Sequence, residues 1–316
     1  WNAQARHADI IFPANTALER NDLMLNPRDP TIVANKKSID SFANSKSDYE
    51  IFSGLANRLG FESTFTDNKN EMEWIEFLWE ESKKIAKDFK INLPDFKKFW
   101  ANGFYEVPCS DKKKIMFENF RNDPENFPLK TPSGKIEISS DTIESFQLKD
   151  CLSHPSWFEP YEWLGKINKY TLHLISNQPT HRLHGQLDNA SDSRKSKIKD
   201  REPVLINSLD ANKRSIKDDD IVMLYNDRGK VLAGAILSED VMPGVVVLST
   251  GAWFDPNYTL NTEVHGNPNV LTNDVGTSSL GQGPTSHTTL IEIKKASKEE
   301  IADVLIFNSL SFKENT

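Results

Sequence analysis

The sequence predicts a mixed α+β protein whose first half carries helices and whose second half, from about Lys166, closes as a β-barrel or sandwich. Three observations predict it. Glu71–Lys90 has apolar residues at helical spacing (Trp74, Ile75, Leu78, Trp79, Ile85), with acids at its start and lysines at its end, an order that suits the helix dipole. From Thr171 the period changes to short alternating or β-branched runs: Thr171–Ser176, Val204–Asn207, Ile221–Tyr225, Val231–Leu237, Val245–Ser249 and Thr289–Lys294. Asn226–Gly229 (NDRG) then lies between two of these runs as a hairpin turn.

The remaining elements follow the same logic in chain order. Ala8–Ala14 (ADIIFPA) is an apolar run stopped by Pro13 and predicts a short buried strand entering a loop. Asn26 to Ser47 is polar and reads as turns. Tyr49–Leu59 has helical spacing and stops at Gly60, a usual C-terminal signal. Pro94–Trp100 predicts a short helix, and Thr131–Ser139 (TPSGKIEIS) a turn feeding a strand. After Lys295, Ser297 and Glu300 make a capping-box pair that predicts a terminal helix. The domain boundaries expected from this pattern are 1–165, 166–295 and a helical tail 296–316.

Composition narrows the function. The chain has 316 residues, 37% of them hydrophobic, and a net charge of -8. That balance argues against nucleic acid, whose phosphates need a basic face. No apolar run approaches the ~20 residues needed to span a bilayer. Cys109 and Cys151 are the only cysteines; they lack CxxC spacing and read as free thiols. The chain opens at Trp1, directly on a motif-dense segment, as a piece of a longer protein would.

Chemistry is expected in four polar loop clusters. These are Asn177–Gln186 (NQPTHRLHGQ), His265–Thr272 (HGNPNVLT), Asp274–Gly283 (DVGTSSLGQG), and Arg6–Asp9 with Glu19–Asp22 at the front. They are rich in Asn, Gln, His, Ser, Thr and Gly and carry few charges. Acid–base catalysis favours carboxylate pairs or a His–carboxylate couple. Amides and hydroxyls instead suit a large ligand with many donors and acceptors. Arg182 is a candidate bidentate phosphate contact. Between His181 and Arg201 six basic residues (Arg182, Arg194, Lys195, Lys197, Lys199, Arg201) stand against three acids (Asp188, Asp192, Asp200). That local excess of +3 suits an anionic ligand, although a charge run is as often a solvated face.

Rival motifs fall short. His154, His173, His181 and His184 have neither Cys nor Glu companions, and Pro179 spoils a ligand-bearing helix start, so they do not make a zinc site. No GxSxG elbow occurs. Gly134–Lys135 lacks the upstream glycine of a phosphate loop, and Gly281–Gly283 is half a dinucleotide fingerprint. From the residues alone the loops are either a polar ligand-binding surface or simple turn chemistry.

At these same loops the chain resembles a known family. WNAQARHADIIFPANTALERNDLM is similar to the stretch before the C-terminal domain of the dimethyl-sulfoxide reductase family of molybdopterin enzymes. LISNQPTHRLHGQLDN, REPVLIN, DDDIVMLYNDRGKVLAGAILS, PGVVVLSTGAWFDP and HGNPNVLTNDVGTSSLGQG resemble that domain itself. The likeness covers nearly the whole chain in order and is greatest for the biotin-sulfoxide, trimethylamine-N-oxide and dimethyl-sulfoxide reductase subgroup.

The resemblance implies a double-psi β-barrel over about 166–295, preceded by part of an α/β domain with a helical insertion. It implies two molybdopterin guanine dinucleotides with molybdenum, contacted by Asn177, Gln178, His181, Arg182, His184, Gln186, Asn267, Asn269, Thr277, Ser278 and Gln282. Arg6, His7, Asp9, Glu19 and Asp22 would shape the cofactor groove. Gly185 stands where the family usually has serine, and Pro284 where a cysteine is common. The family's molybdenum-ligating serine lies upstream of the matched region, so no metal ligand and no catalytic residue is assigned here.

The implied activity is two-electron reduction of an S-oxide or N-oxide by oxygen-atom transfer, in anaerobic respiration. The expected electron donor is a cytochrome of the c type. The expected compartment is the periplasm, with the cytoplasm as alternative. This chain alone is expected to be inactive. The alternatives are a non-catalytic double-psi binding module, or a formate dehydrogenase or nitrate reductase relative.

Overall fold

A computed structural model describes residues 1–109, 115–166 and 169–308. Contacts divide the chain into two compact units: Asp9–Pro128, and Trp1–Ala8 together with the chain from Leu129 onward.

In the first unit β1 (Asp22–Asn26) and β2 (Asp29–Asn35) form an antiparallel hairpin, and β3 (Phe104–Glu106) adds to β2 with Ile32 opposite Tyr105. The polar stretch read as turns therefore holds a strand. Its signal is the β-branched TIV of β2, with Asn26 Oδ1 accepting the Arg28 N–H at 2.9 Å to make the turn. The strand expected at Ala8–Ala14 does not form. Ile10, Ile11 and Phe12 are exposed, and one isolated bridge joins Ala14 to Lys46. An apolar run cannot become a strand without an edge to pair with, and Pro13 offers no N–H.

The helices come where expected, as Asp48–Arg58, Glu71–Asp88 and Phe96–Asn102. Ser47 with Glu50, and Asn70 with Glu73, cap the first two reciprocally, satisfying backbone donors the helix cannot use. Of the apolar positions on Glu71–Asp88, Ile75 and Trp79 are buried, whereas Leu78 and Ile85 are exposed. Trp79 stacks on Phe99, centroids 3.7 Å apart at 10°, and its Nε1 donates to the Pro94 carbonyl at 3.0 Å. Ala34, Leu93 and Phe96 complete this core.

The second unit is built on β4 (Leu172–Ile175), β5 (Pro203–Ile206), β6 (Ile221–Tyr225), β7 (Lys230–Leu237), β8 (Val245–Leu248), the short β9 (Pro256–Asn257) and β10 (Thr262–Glu263), and β11 (Thr289–Lys295). Six of them run β5-β8-β4-β11-β6-β7, and β7 pairs back onto β5, closing the sheet. This is the expected barrel. Two pairings are parallel, β4 with β8 and β5 with β7; the other barrel pairs are antiparallel. Closure leaves no free edge. Alternate residues point inward: Leu172, Leu174, Val204, Ile206, Val222, Leu224, Val231, Ala233, Val246, Leu248 and Ile293 fill the interior. Asn226–Gly229 turns β6 into β7, with the Asn226 N–H donating to the Gly229 carbonyl at 3.1 Å.

Two expectations fail in this unit. Thr131–Gly134 turns as expected, with the Gly134 N–H 3.0 Å from the Thr131 carbonyl, but no strand follows, and Ile136 and Ile138 are exposed. The capping box at Ser297 and Glu300 forms, yet it opens only a 3-10 turn, Lys298–Glu300. Residues 301–305 then run without helix. The Leu305 and Ile306 N–H groups go to Asp255 Oδ2 at 2.6 and 2.9 Å. A helix would have kept those donors internal; the rest of the expected tail helix, 309–316, lies outside the described residues. Among the described residues no helix is long and apolar enough to cross a membrane.

Candidate functional site

Where β4 leaves the barrel, its loop joins the ends of β5 and β8 around a cleft of about 540 Å³. Asn177, Gln178, Thr180 and His181 line it with Ser249, over a floor that includes Leu205, Ile236 and Val247. A larger cleft, about 850 Å³, lies in the unit Asp9–Pro128. It carries none of the loop residues singled out for cofactor binding, and volume alone does not make it the site.

The rim of the barrel cleft is polar and neutral. Asn177 Oδ1 accepts from Ser249 Oγ at 2.8 Å, and the Asn177 carbonyl takes the Thr250 N–H at 2.9 Å. Gln178 holds His184 twice: its amide nitrogen is 2.7 Å from Nδ1, and its oxygen accepts the His184 N–H at 3.1 Å. His181, His184 and Gln186 are exposed. Gln186 lines an adjoining cleft of about 780 Å³ with Gly185, Asn189 and Trp253. At Gly185 a Cβ would meet the Gly251 carbonyl at 3.3 Å, so the serine usual in the family would have to displace that turn slightly here.

Beneath the rim lies a set of charges that reading by loop composition missed. The Arg182 side chain is 1% exposed and pairs with Asp188 at 3.4 Å and Glu202 at 3.1 Å. Lys197, equally buried, reaches both acids at 2.8 Å. Arg182 also donates to the carbonyls of His184 and Thr250, each at 3.1 Å. Its guanidinium is thus occupied by protein groups, which corrects its reading as a phosphate contact: it braces the loop from below. The local excess of +3 is corrected with it. Arg182, Lys197 and Arg201 are buried, leaving Arg194, Lys195 and Lys199 at the surface against Asp192 and Asp200.

His265 is fully buried beside this set. Burial, then the Lys197 charge, pushes its ring down to about 4, so it is neutral at physiological pH. Nδ1 lies 2.7 Å from the Trp253 carbonyl, which places the proton there. Nε2 has no hydrogen-bond partner among the described residues and lies 3.8 Å from Asp188. Burial raises the Asp188 carboxyl, but Lys197 and the Trp253 N–H outweigh it and hold it below the ordinary range. Burial pushes Glu263 up to about 7, although four backbone N–H groups oppose the shift.

The structure brings the first two loop clusters together and leaves the third apart. Asn267 Nδ2 donates to the Ala252 carbonyl at 2.9 Å, Trp253 Nε1 to Gly185 at 2.6 Å, and the Trp253 N–H to Asp188 at 2.9 Å. Asn269 is exposed beside them. Thr277, Ser278 and Gln282 sit on a separate turn closed by the Gly276–Pro284 bridge. Thr277 Oγ1 and Ser278 Oγ bond back to Gly281, and Ser279 anchors the turn to Asp150 at 2.8 Å. Gln282 is exposed there.

The front cluster divides. Arg6 donates to the Ile306 carbonyl at 3.0 Å, and His7 lies 5.9 Å from the Phe254 ring. Asp9, Glu19 and Asp22 belong to the other unit, where Glu19 is a buried cap for the Thr16 and Phe42 N–H groups at 2.6 Å.

Glu162 was also missed in sequence. Burial raises its carboxyl, but the two-pronged bond from Arg228 and the Leu290 N–H (2.8 Å) hold it below the ordinary range. Its contribution to stability is therefore present above the unfolded value of 4.5 and is lost as pH falls through the lower folded value. Glu162→Gln is expected to flatten the acid limb of the stability curve, read as urea midpoints between about pH 3 and 6.

The donor set fits a large ligand with neutral hydrogen-bonding edges at its rim: amides, hydroxyls and imidazoles face outward while the fixed charges are neutralised below. The comparisons agree. Residues 172–290 match the family described as molydopterin dinucleotide binding domain, and residues 1–58 match molybdopterin oxidoreductase. The chain is 43% identical to a biotin sulfoxide reductase of Cereibacter sphaeroides, over 93% of this chain and 40% of that protein. It is 42% identical to a trimethylamine-N-oxide reductase of Haemophilus influenzae, over 93% of this chain and 37% of that protein. A dimethyl sulfoxide/trimethylamine N-oxide reductase of Cereibacter sphaeroides is 41% identical with the same coverages. The chain thus spans about 40% of the length of these relatives. Acetylene hydratase from Pelobacter acetylenicus has the same fold, with a TM-score of 0.69 at 16% identity, over 93% of this chain and 39% of that one. The chain thus carries a match to the molydopterin dinucleotide binding domain over its closed barrel and a match to molybdopterin oxidoreductase in its first 58 residues.

Proposed function

We propose that the protein carrying this chain reduces S-oxides or N-oxides, and that the barrel's loop end holds part of a bis-molybdopterin guanine dinucleotide. The carrying observation is the neutral polar rim around the 540 Å³ cleft, set over a buried and internally neutralised charge set. When bound, the molybdenum cofactor supplies the two-electron chemistry. The residues here bind and orient it. Asn177, Gln178, His181, His184, Gln186, Asn269 and Gln282 offer donors and acceptors, while Arg182 and Asn267 hold their loops in place. No residue of this chain is given the role of metal ligand.

Residues 166–295 act as the binding barrel and 1–165 as part of the α/β domain. A c-type cytochrome as electron donor and a periplasmic location are part of the proposal, supported by resemblance to the reductase subgroup. The test is oxidation of a reduced viologen by the full-length protein with biotin sulfoxide, trimethylamine N-oxide or dimethyl sulfoxide. Turnover of at least one is expected, and none by residues 1–316 alone. A molybdenum-loaded protein inert towards all three would overturn the proposal.

A further inference from the structure

Glu263 is 3% exposed on β10, the two-residue strand that pairs with Val231 of β7 and with β9. Its carboxylate accepts four backbone hydrogen bonds. Oε1 takes the N–H groups of Asp255 (3.0 Å) and His265 (3.1 Å). Oε2 takes those of Gly266 (2.7 Å) and Asn267 (2.8 Å). Four donors fill the acceptor capacity of a carboxylate. The turn it holds is tight on its other side as well. Gly266 has φ +110, and a Cβ there would lie 2.4 Å from the Glu202 Cβ. Directly after it, Asn267 Oδ1 accepts the Asn269 N–H at 2.9 Å while Nδ2 reaches the Ala252 carbonyl.

We propose that Glu263 is the positioning residue of the 265–269 loop, a buried acid that does not meet the ligand and fixes where Asn267 and Asn269 present themselves to it. That the loop faces a cofactor rests on the function proposed above. Only an acid does this work. A glutamine would turn an amide NH₂ towards two backbone donors, donor against donor. An aspartate keeps all four acceptor sites but sits one methylene further back.

The test uses the full-length protein with Glu263→Gln, Glu263→Asp and, as a control for simple loosening of the core, Ile293→Val in the barrel interior. Amide hydrogen exchange is read at about pH 8.5, above the raised Glu263 value so that the acid is ionised, over residues 264–270 and over β4 and β8, together with molybdenum and guanine nucleotide per mole of protein. Glu263→Gln is expected to speed exchange at residues 265–267 about tenfold or more, as loss of bonds to a charged acceptor implies, with β4 and β8 unchanged. Cofactor content should fall with it, and Glu263→Asp should restore part of both. Ile293→Val should leave the 265–267 amides no faster than the strands. Unchanged exchange at 265–267 in Glu263→Gln overturns the proposal. Faster exchange at full cofactor content upholds Glu263 as the clasp of the loop and overturns the cofactor reading instead. Should Glu263→Gln fail to fold, Glu263→Asp decides: exchange at 265–267 that is at or moderately above the wild-type rate, with β4 and β8 unchanged, upholds the acid as the clasp, and exchange quickened equally in β4 and β8 overturns it.

Discussion

Arg182→Met is expected to destabilise the barrel by about 3–5 kcal/mol, because it removes one cation from a buried set of two acids and two bases. Asp188 and Glu202 are fully buried or nearly so and would be left with Lys197 as the one cation of the set. Three further bonds, to His184, Thr250 and Ser193, would be lost from the loop. Pairing the change with Glu202→Gln should recover part of the loss, since the stranded acid goes with it. The check is the urea midpoint of each variant at constant slope. A solvent-facing phosphate ligand would behave otherwise: its removal would leave stability within about 0.5 kcal/mol and weaken only ligand retention.

Trp79→Ala is expected to cost the Asp9–Pro128 unit a similar amount, about 3–5 kcal/mol, through a large cavity against Phe99. Trp79 has no exposed surface, and its Nε1 satisfies the Pro94 carbonyl, so truncation removes both the stacked ring and a buried donor. Hydrogen exchange should quicken in Glu71–Asp88 and Phe96–Asn102 and stay unchanged in β4, β6 and β11. Trp79→Phe, which keeps a ring, should lose less than half as much. Equal stability of wild type and Trp79→Ala would remove this stack from the core.

The barrel was legible because its strands are short, alternating and separated by turn residues. β6 and β7, joined by Asn226–Gly229, lie within one residue of where the alternation puts them. The closing pair, Val204 beside Ala235, was not legible. It joins strands separated by the β6 hairpin, and no local pattern encodes a parallel partner. β1 and β2 were hidden by flanking Asn and Asp residues that favour turns in isolation but here bound a hairpin. Ala8–Ala14 had the apolarity of a strand and no partner edge.

At the site, residue types in loops were legible and their orientation was not. The amides at Asn177 and Gln178 reach the rim and that of Gln186 an adjoining cleft. Arg182 lies in the same loop but turns inward, because Asp188 and Glu202 wait beneath it. One signal was present in the sequence. Glu202 stands directly before the buried run Pro203–Ile206, and an acid at the mouth of an apolar strand needs a buried cation. Glu263 had no comparable signal, since its partners are backbone N–H groups that only the folded turn brings to it.

That the barrel's polar loops cradle the cofactor is tested most directly at Gln186, in the cleft adjoining the rim, and at Gln282, on the separate 276–284 turn. Both are exposed, so replacing them should leave the fold intact. Gln282→Leu and Gln186→Leu keep approximate volume but strand ligand groups without partners, at roughly 1–3 kcal/mol for each. Asp227→Asn and Lys230→Gln are the controls, the first touching only the exposed contacts with Lys169 and Tyr170. The measurement is molybdenum and guanine nucleotide per mole of full-length protein, with a thermal melt to confirm folding. Reduced cofactor content is expected in both glutamine variants at wild-type melting, and full content in the controls. Full content in both glutamine variants would contradict it.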